Sequence, residues 1–278
     1  MTFRTRQIGG NVPNYTMKSS ELRSGDVLAC LRLDGFEPFI LWTSGGRAGH
    51  MAVMWEIDGV MSVCENEDRG VGCWPYDEWL PYATQQGYSV AVLPLAPKIR
   101  ARLDVKGGAE FIKRSWGLPY GYDNLIFGVL DVLKENIPKE LGDDFIDIAG
   151  ALSFYFKKDF ASLATNGLSR RLGLAYGSDW PTVALAAERK YGRAMNAMLL
   201  PEQDAYRYPV NASYVCSTFV GAMLKAGGVF EPFNIQAGEL TPHDLTQMQI
   251  FDAGWVPPRA CVMADPVLAS RHYCQLMG

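Results

Sequence analysis

Between residues 22 and 95 the apolar positions fall in short runs of strand length, separated by glycine, proline and acidic turn signals. Asp26 to Leu33 is the first such run, introduced by Ser24-Gly25. His50 to Ile57 and Val60 to Glu65 flank Asp58-Gly59, a pair that favours a two-residue type I′ turn, so these runs predict a hairpin. If Ile57 faces Val60, then Ala52 faces Glu65 and His50 faces Glu67. Tyr88 to Leu95 reads as a further strand, with Pro94 placing its end at an edge or terminus. A helix is predicted from about Ile99 to Ser115, stopping before Gly117-Leu118-Pro119.

Beyond Asp123 the period lengthens. Leu125 to Glu135, Asp143 to Lys158, Phe160 to Leu172 and Pro181 to Leu200 all read as helical, the last started by Ser178 and Asp179. We take roughly 125–207 as a helical insertion within a single domain spanning 1–278. Another helix follows from Val215, with Val215, Phe219, Val220, Met223 and Leu224 at helical spacing and Gly227-Gly228 as a stop. Asn211 or Ser213 is placed to cap it. The tail from 229 to 278 reads as proline-rich turns with one strand.

Composition narrows the function. The chain has 278 residues, of which 48% are hydrophobic and 12% aromatic, enough for a well-buried core. A net charge of −4 supplies no basic footprint for nucleic acid. Charges interrupt every apolar stretch before membrane-spanning length, so no transmembrane segment is expected. The first ten residues lack the apolar core of a signal peptide, which points to the cytoplasm unless a leader has been removed. The sequons at Asn14 and Asn211 would matter only in a secretory pathway. Cysteines 30, 64, 73, 216, 261 and 274 are too thinly spread for a disulfide scaffold. Cys64, Cys73 and His50 match no familiar metal-site spacing, and no metal or organic cofactor is expected.

Cys216 is the candidate nucleophile. A thiol in the first turn of a helix feels the positive end of the dipole and the unpaired amides, which favours the thiolate. The competing reading is a buried core cysteine. Three histidines are available as partners: His50, His243 and His272. His50 opens a strand beside the loop Ser44 to Gly49, rigid yet reachable, as a general base must be. The hairpin register puts Glu65 and Glu67 on its side of the sheet, where a carboxylate would orient the imidazole. A solvated acidic strand end is the plainer alternative. For His243 a loop position capped by Asp244 is the simpler role, and His272 lies in the tail.

The ordered set Ser24-Gly25-Asp26-Val27-Leu28, Gly49-His50-Met51-Ala52-Val53, Val63-Cys64-Glu65 and Tyr214-Val215-Cys216-Ser217-Thr218 resembles the circularly permuted NlpC/P60 proteins, specifically the YiiX/YebB-like group. Gly117-Leu118-Pro119-Tyr120-Gly121-Tyr122 is similar to the Gly-x-Pro-Tyr element of that group. Thr241-Pro242-His243-Asp244-Leu245 is similar to its Pro-x-Asp-Leu segment. The likeness spans about 22–123 and 208–250. It implies an α+β, papain-like fold in which a small antiparallel sheet or barrel packs on the cysteine helix. It also implies Cys216 as nucleophile, His50 as base and Glu65 as orienting acid, with Glu67 a rival for the third place. Tyr120, Tyr122 and Tyr214 are then candidates to line the substrate cleft.

The function so implied is a cysteine hydrolase that cleaves an amide through a thioester, acting on a small molecule or peptide. Two rivals stand beside it. One is a lipid acyltransferase or phospholipase of the LRAT-like type, favoured by the apolar stretch Phe145 to Phe156 as a lid over a lipid substrate. The other is a non-catalytic binding scaffold.

Overall fold

The computed structural model describes residues 17–35, 37–44, 46–122, 160–175, 177–192, 204, 214–256 and 275–276. Its centre is an antiparallel sheet in the order β4-β3-β2-β1-β5-β6. The strands are β1 (Val27–Leu31), β2 (His50–Ile57), β3 (Val60–Glu67), β4 (Gly70–Pro75), β5 (Ser89–Leu93) and the two-residue β6 (Gln275–Leu276). The fold class is α+β, as the sequence predicts. The β2–β3 ladder runs without interruption from Ile57↔Val60 to Ala52↔Glu65, the register read from the sequence. Asp58 and Gly59 both take positive φ, which is what a type I′ turn demands of its two central residues.

Helices cover both faces of the sheet. On one face Met51, Val53, Trp55 and Cys64 pack against Phe219, Val220, Met223 and Leu224 of α7 (Cys216–Ala226) and Ile112 of α4 (Val105–Ser115). Trp55 fixes how closely these helices approach. A Cβ on Gly108 would stand 2.0 Å from its ring and one on Gly227 2.9 Å, so both glycines are there to admit the indole. Its Nε1 donates to the Val105 carbonyl at 2.9 Å, which satisfies the one polar atom brought into the core.

On the opposite face Leu28, Cys30, Ala52, Met54 and Val63 pack against Trp79, Leu80 and Ala83 of α2 (Tyr76–Gln85). Here the strand-only reading of 22–95 needs correction, because α1 (Glu37–Ser44) and α2 lie within it. In α2 the buried residues Tyr76, Trp79, Leu80 and Ala83 recur at helical spacing, a signal masked by the flanking Pro75 and the internal Pro81. The helix read as Ile99 to Ser115 is also two helices. α3 (Pro97–Arg100) ends early, and Asp104 then caps α4 by accepting from the Gly107 N–H at 2.9 Å.

Within the insertion, α5 (Phe160–Leu172) has the predicted bounds and α6 (Trp180–Tyr191) starts at an Asp179 cap. The predicted helices at 125–135 and 143–158 lie outside the described residues, as do 193–200 and the apolar stretch 145–156. The two stems of the insertion meet. Tyr120 and Tyr214 form a parallel bridge, and the Gly121 N–H donates to the Tyr214 carbonyl at 2.7 Å. The long intervening segment thus leaves and re-enters the core at one place.

Cys64 and Cys73 are directly opposed on β3 and β4 and joined in a disulfide. This single pairing was not found from the sequence, where the spread of the cysteines suggested no disulfide scaffold, and it takes both thiols out of reach of a metal. Cys64 belongs to the α7 face, whereas His50 shares the face of Ala52. Cys30 and Cys216 are free and buried, and Cys261 and Cys274 lie outside the described residues. The bond makes a prediction. A non-reduced digest will yield linked peptides carrying Cys64 and Cys73. Replacing both by serine will lower stability by about 2–3 kcal/mol, the loop-closure value for so short a ring, read from denaturant unfolding.

Candidate functional site

The chain brings Cys216, His50 and Glu65 to one place by three different devices. Cys216 is the first residue of α7, after an N-cap at Val215 with extended backbone. Asn211 and Ser213, read from the sequence as caps, lie outside the described residues. Thr218 holds the cap residue: its Oγ1 accepts from the Val215 N–H at 2.9 Å and donates to the Val215 carbonyl at 3.1 Å. The Cys216 thiol is 2% exposed and its N–H, in the first helical turn, has no intrahelical acceptor.

His50 opens β2, its backbone position set by pairing with Cys30 of β1. Its Nε2 lies 2.9 Å from Glu65 Oε2, which leaves Nδ1 as the nitrogen for its other partner, the Cys216 thiol. Burial opposes charge on the imidazole. Hydrogen bonds to Cys216 and Glu65, and the charges of both, outweigh that and hold the His50 pKa well above its ordinary 6.5. The ring is thus biased toward its charged form by the thiol on one side and the carboxylate on the other.

Glu65 is wholly buried, and both its oxygens are engaged. Oε2 meets His50, and Oε1 accepts from the Trp79 indole N–H at 2.8 Å. Of the two glutamates left open by the sequence, the diagonal neighbour Glu65 contacts the histidine. Glu67, at the end of β3, lies 3.6 Å from Arg69 instead. Its pKa is raised by burial and by the charge of Glu65, against the pull of His50 and Arg69.

A cavity of about 390 Å³ opens beside this line, with His50, Gly49, Tyr120 and Tyr122 in its wall. Arg32, Glu37, Glu67, Asp68 and Arg69 give it a charged lining, and Tyr82 and Tyr88 add aromatic faces. The Tyr120 hydroxyl stands 4.0 Å from Cys216 Sγ. Burial and the adjacent thiol push its pKa well up, while the Cys216 backbone amide works the other way. Tyr122 donates to Asp68 at 2.5 Å. Tyr214 is not on the cavity wall. Its ring packs edge-on to Phe111 and Phe219, 5.8 and 6.3 Å between centroids, so it belongs to the core rather than the cleft. His243 sits in α8 (Pro242–Gln247), where Thr241 is the cap and Asp244 accepts from the Thr241 N–H and hydroxyl. His272 lies outside the described residues.

Two participants were not read from the sequence. Trp79 went unnoticed because α2 did. Glu37, 5% exposed, accepts from the Arg32 N–H at 2.9 Å and from the Tyr88 hydroxyl. Burial raises its pKa, and the Tyr88 bond and the His50 charge oppose the rise. Gly49 makes room for it, since a Cβ there would fall 2.7 Å from both Glu37 Cβ and Oε2. The glycine before His50 is thus a close-approach device.

His50, Glu65 and Glu67 bring potential metal-ligand atoms within 4.8 Å of one another. The nearest of these atoms are already spent on the His50–Glu65 and Trp79–Glu65 bonds, so a cation there would have to dismantle the pair.

No protein-family model matches the chain, and no curated protein does. Among solved structures, the metalloprotein yiiX from Escherichia coli O157:H7 is similar over 50% of this chain and 84% of that one. The identity is 15% and the TM-score 0.33, too low to carry an argument, so the site rests on its own residues. Among the described residues no helix is long and apolar enough to cross a membrane.

The raised His50 pKa has a defined sign. Its stabilising contribution is complete below the unfolded value near 6.5 and is lost as pH rises through the folded value. Imidazole NMR titration will show His50 still protonated well above 6.5, and Glu65→Gln will move its midpoint downward. A wild-type midpoint at the ordinary value would contradict the geometry described.

Proposed function

We propose that this protein is a cysteine hydrolase that cleaves an amide bond through a thioester on Cys216. The observation carrying the reading is the buried line Cys216–His50–Glu65, with His50 Nε2 at 2.9 Å from Glu65 and the thiol as the ring's other partner. A carboxylate that fixes one ring nitrogen leaves the other to manage the nucleophile's proton. In chain order the histidine strand and acid precede the cysteine helix. That order, with the sheet packed on that helix, supports reading the fold as a circularly permuted papain-like domain.

In the reaction Cys216 Sγ attacks the substrate carbonyl carbon and forms the C–S bond. The oxyanion is held by the Cys216 N–H, with the Tyr120 hydroxyl beside it as a second donor. As the C–N bond breaks, the His50 imidazolium proton passes to the leaving nitrogen. Neutral His50 then takes a proton from water, whose oxygen attacks the thioester. The C–S bond breaks, the acid departs, and the thiolate–imidazolium pair is restored. No cofactor enters this cycle.

The cavity lining favours a polar substrate, a peptide or small amide, over a lipid. Five charged side chains would have to be desolvated against an acyl chain. The stretch 145–156, on which a lipid lid depends, lies outside the described residues. The Cys64–Cys73 disulfide favours an oxidising compartment over the cytoplasm.

p-Nitrophenyl acetate tests the chemistry without knowledge of the substrate. Mass spectrometry will find the acetyl group on Cys216, and Cys216→Ala will abolish it. His50→Ala will slow acylation by about 10²–10⁴-fold, the usual worth of a positioned base. With a p-nitroanilide in place of the ester, whose leaving nitrogen needs the imidazolium proton, the rate will fall as pH rises through the raised His50 pKa. An unmodified Cys216 in the folded protein would support a binding scaffold instead.

A further inference from the structure

The peptides leading into Cys216 are held with unusual completeness, and one of the groups holding them has no evident structural reason to be polar. Asn66 is wholly buried on β3, one residue from Glu65. Its Nδ2 donates to the Tyr214 carbonyl at 2.6 Å, across 148 positions of sequence. The same carbonyl accepts from the Gly121 N–H at 2.7 Å. Thr218 accepts from the other end of that carbonyl's peptide, the Val215 N–H, and donates to the Val215 carbonyl of the next peptide, the one that carries the Cys216 N–H. Both peptides between Tyr214 and Cys216 are therefore hydrogen-bonded, the first at both of its polar groups.

Asn66 Oδ1, by contrast, is buried with no hydrogen-bond partner among the described residues. An orphaned buried acceptor is a cost. A residue that served only to fill the core would avoid it, because leucine has nearly the same shape and carries no polar atom. What asparagine adds is the one donor that ties the strand of Glu65 to the peptide two residues before the nucleophile.

We infer that Asn66 is a positioning residue for the oxyanion donor. By fixing the Tyr214–Val215 peptide it anchors the unit before the one that Thr218 holds, and so helps set the direction of the Cys216 N–H relative to the His50–Glu65 pair. Through Gly121 it also fixes the segment that carries Tyr120. Asn66 touches no reacting atom. This inference rests on the hydrolase reading and deepens it: acid, base, nucleophile and oxyanion donor are referenced to one pair of adjacent residues on β3.

The test compares two reagents on Cys216. Alkylation by iodoacetamide is a substitution that builds no oxyanion, whereas acylation by p-nitrophenyl acetate does. In Asn66→Leu, acylation is expected to fall roughly 10- to 100-fold, below the 10²–10³ seen when a donor itself is removed, with the alkylation rate unchanged. Asn66→Ser is measured alongside in case the leucine variant does not fold, and thermal unfolding is recorded for each. Equal losses in both reactions of a folded variant would mean a merely structural role and overturn the inference. No loss in either would overturn it too. A wild-type Cys216 that is alkylated but never acylated would be a different failure, that of the hydrolase reading itself.

Discussion

A carboxylate with no access to water is the constraint around which this molecule is arranged. Glu65 is wholly buried, and a buried charge is tolerated only when each lone pair is met. The indole of Trp79 meets one oxygen and the ring of His50 the other. These contacts draw α2 onto one face of the sheet and hold the start of β2 in a single rotamer. The carboxylate and the thiol together bias His50 toward its charged form despite burial. The thiol at the head of α7 then finds a cation waiting beside it. Stability and chemistry draw on the same interaction: breaking a buried pair by removing one partner costs on the order of 3–5 kcal/mol.

The second organising feature is the closure of the insertion at its own base. Because Tyr120 bridges Tyr214, the two ends of the insertion meet beside the cavity, with Tyr120 on its wall. The stems deliver Tyr120 to the thiol on one side and the helix cap to it on the other.

Much of this was legible before any coordinates, and for local reasons. Asp58-Gly59 specifies its turn through two positive φ values, and the turn specifies the register, which places Glu65 diagonal to His50. Periodicity located the cysteine helix and the bounds of α5. What could not be read depended on distant partners. The Cys64–Cys73 bond requires β4 to fold back on β3 in one register, and β4 carries no alternation strong enough to announce it. Trp79 acts from a helix whose pattern two prolines obscured. Asn66 acts across 148 positions, on a carbonyl that no sequence motif marks. Tyr214 shows the opposite error: its place in a motif suggested a cleft, while its ring is spent on the core.

The central claim is that Cys216 is activated by its neighbour His50. The most direct measurement is the rate of iodoacetamide alkylation at Cys216 as a function of pH, in the wild type and in His50→Ala. The account predicts alkylation that stays rapid down to about pH 6, where an ordinary thiol is almost wholly protonated, and that the substitution slows sharply at that pH. A rate that rises with pH as for an ordinary thiol, identical in the two proteins, would contradict it.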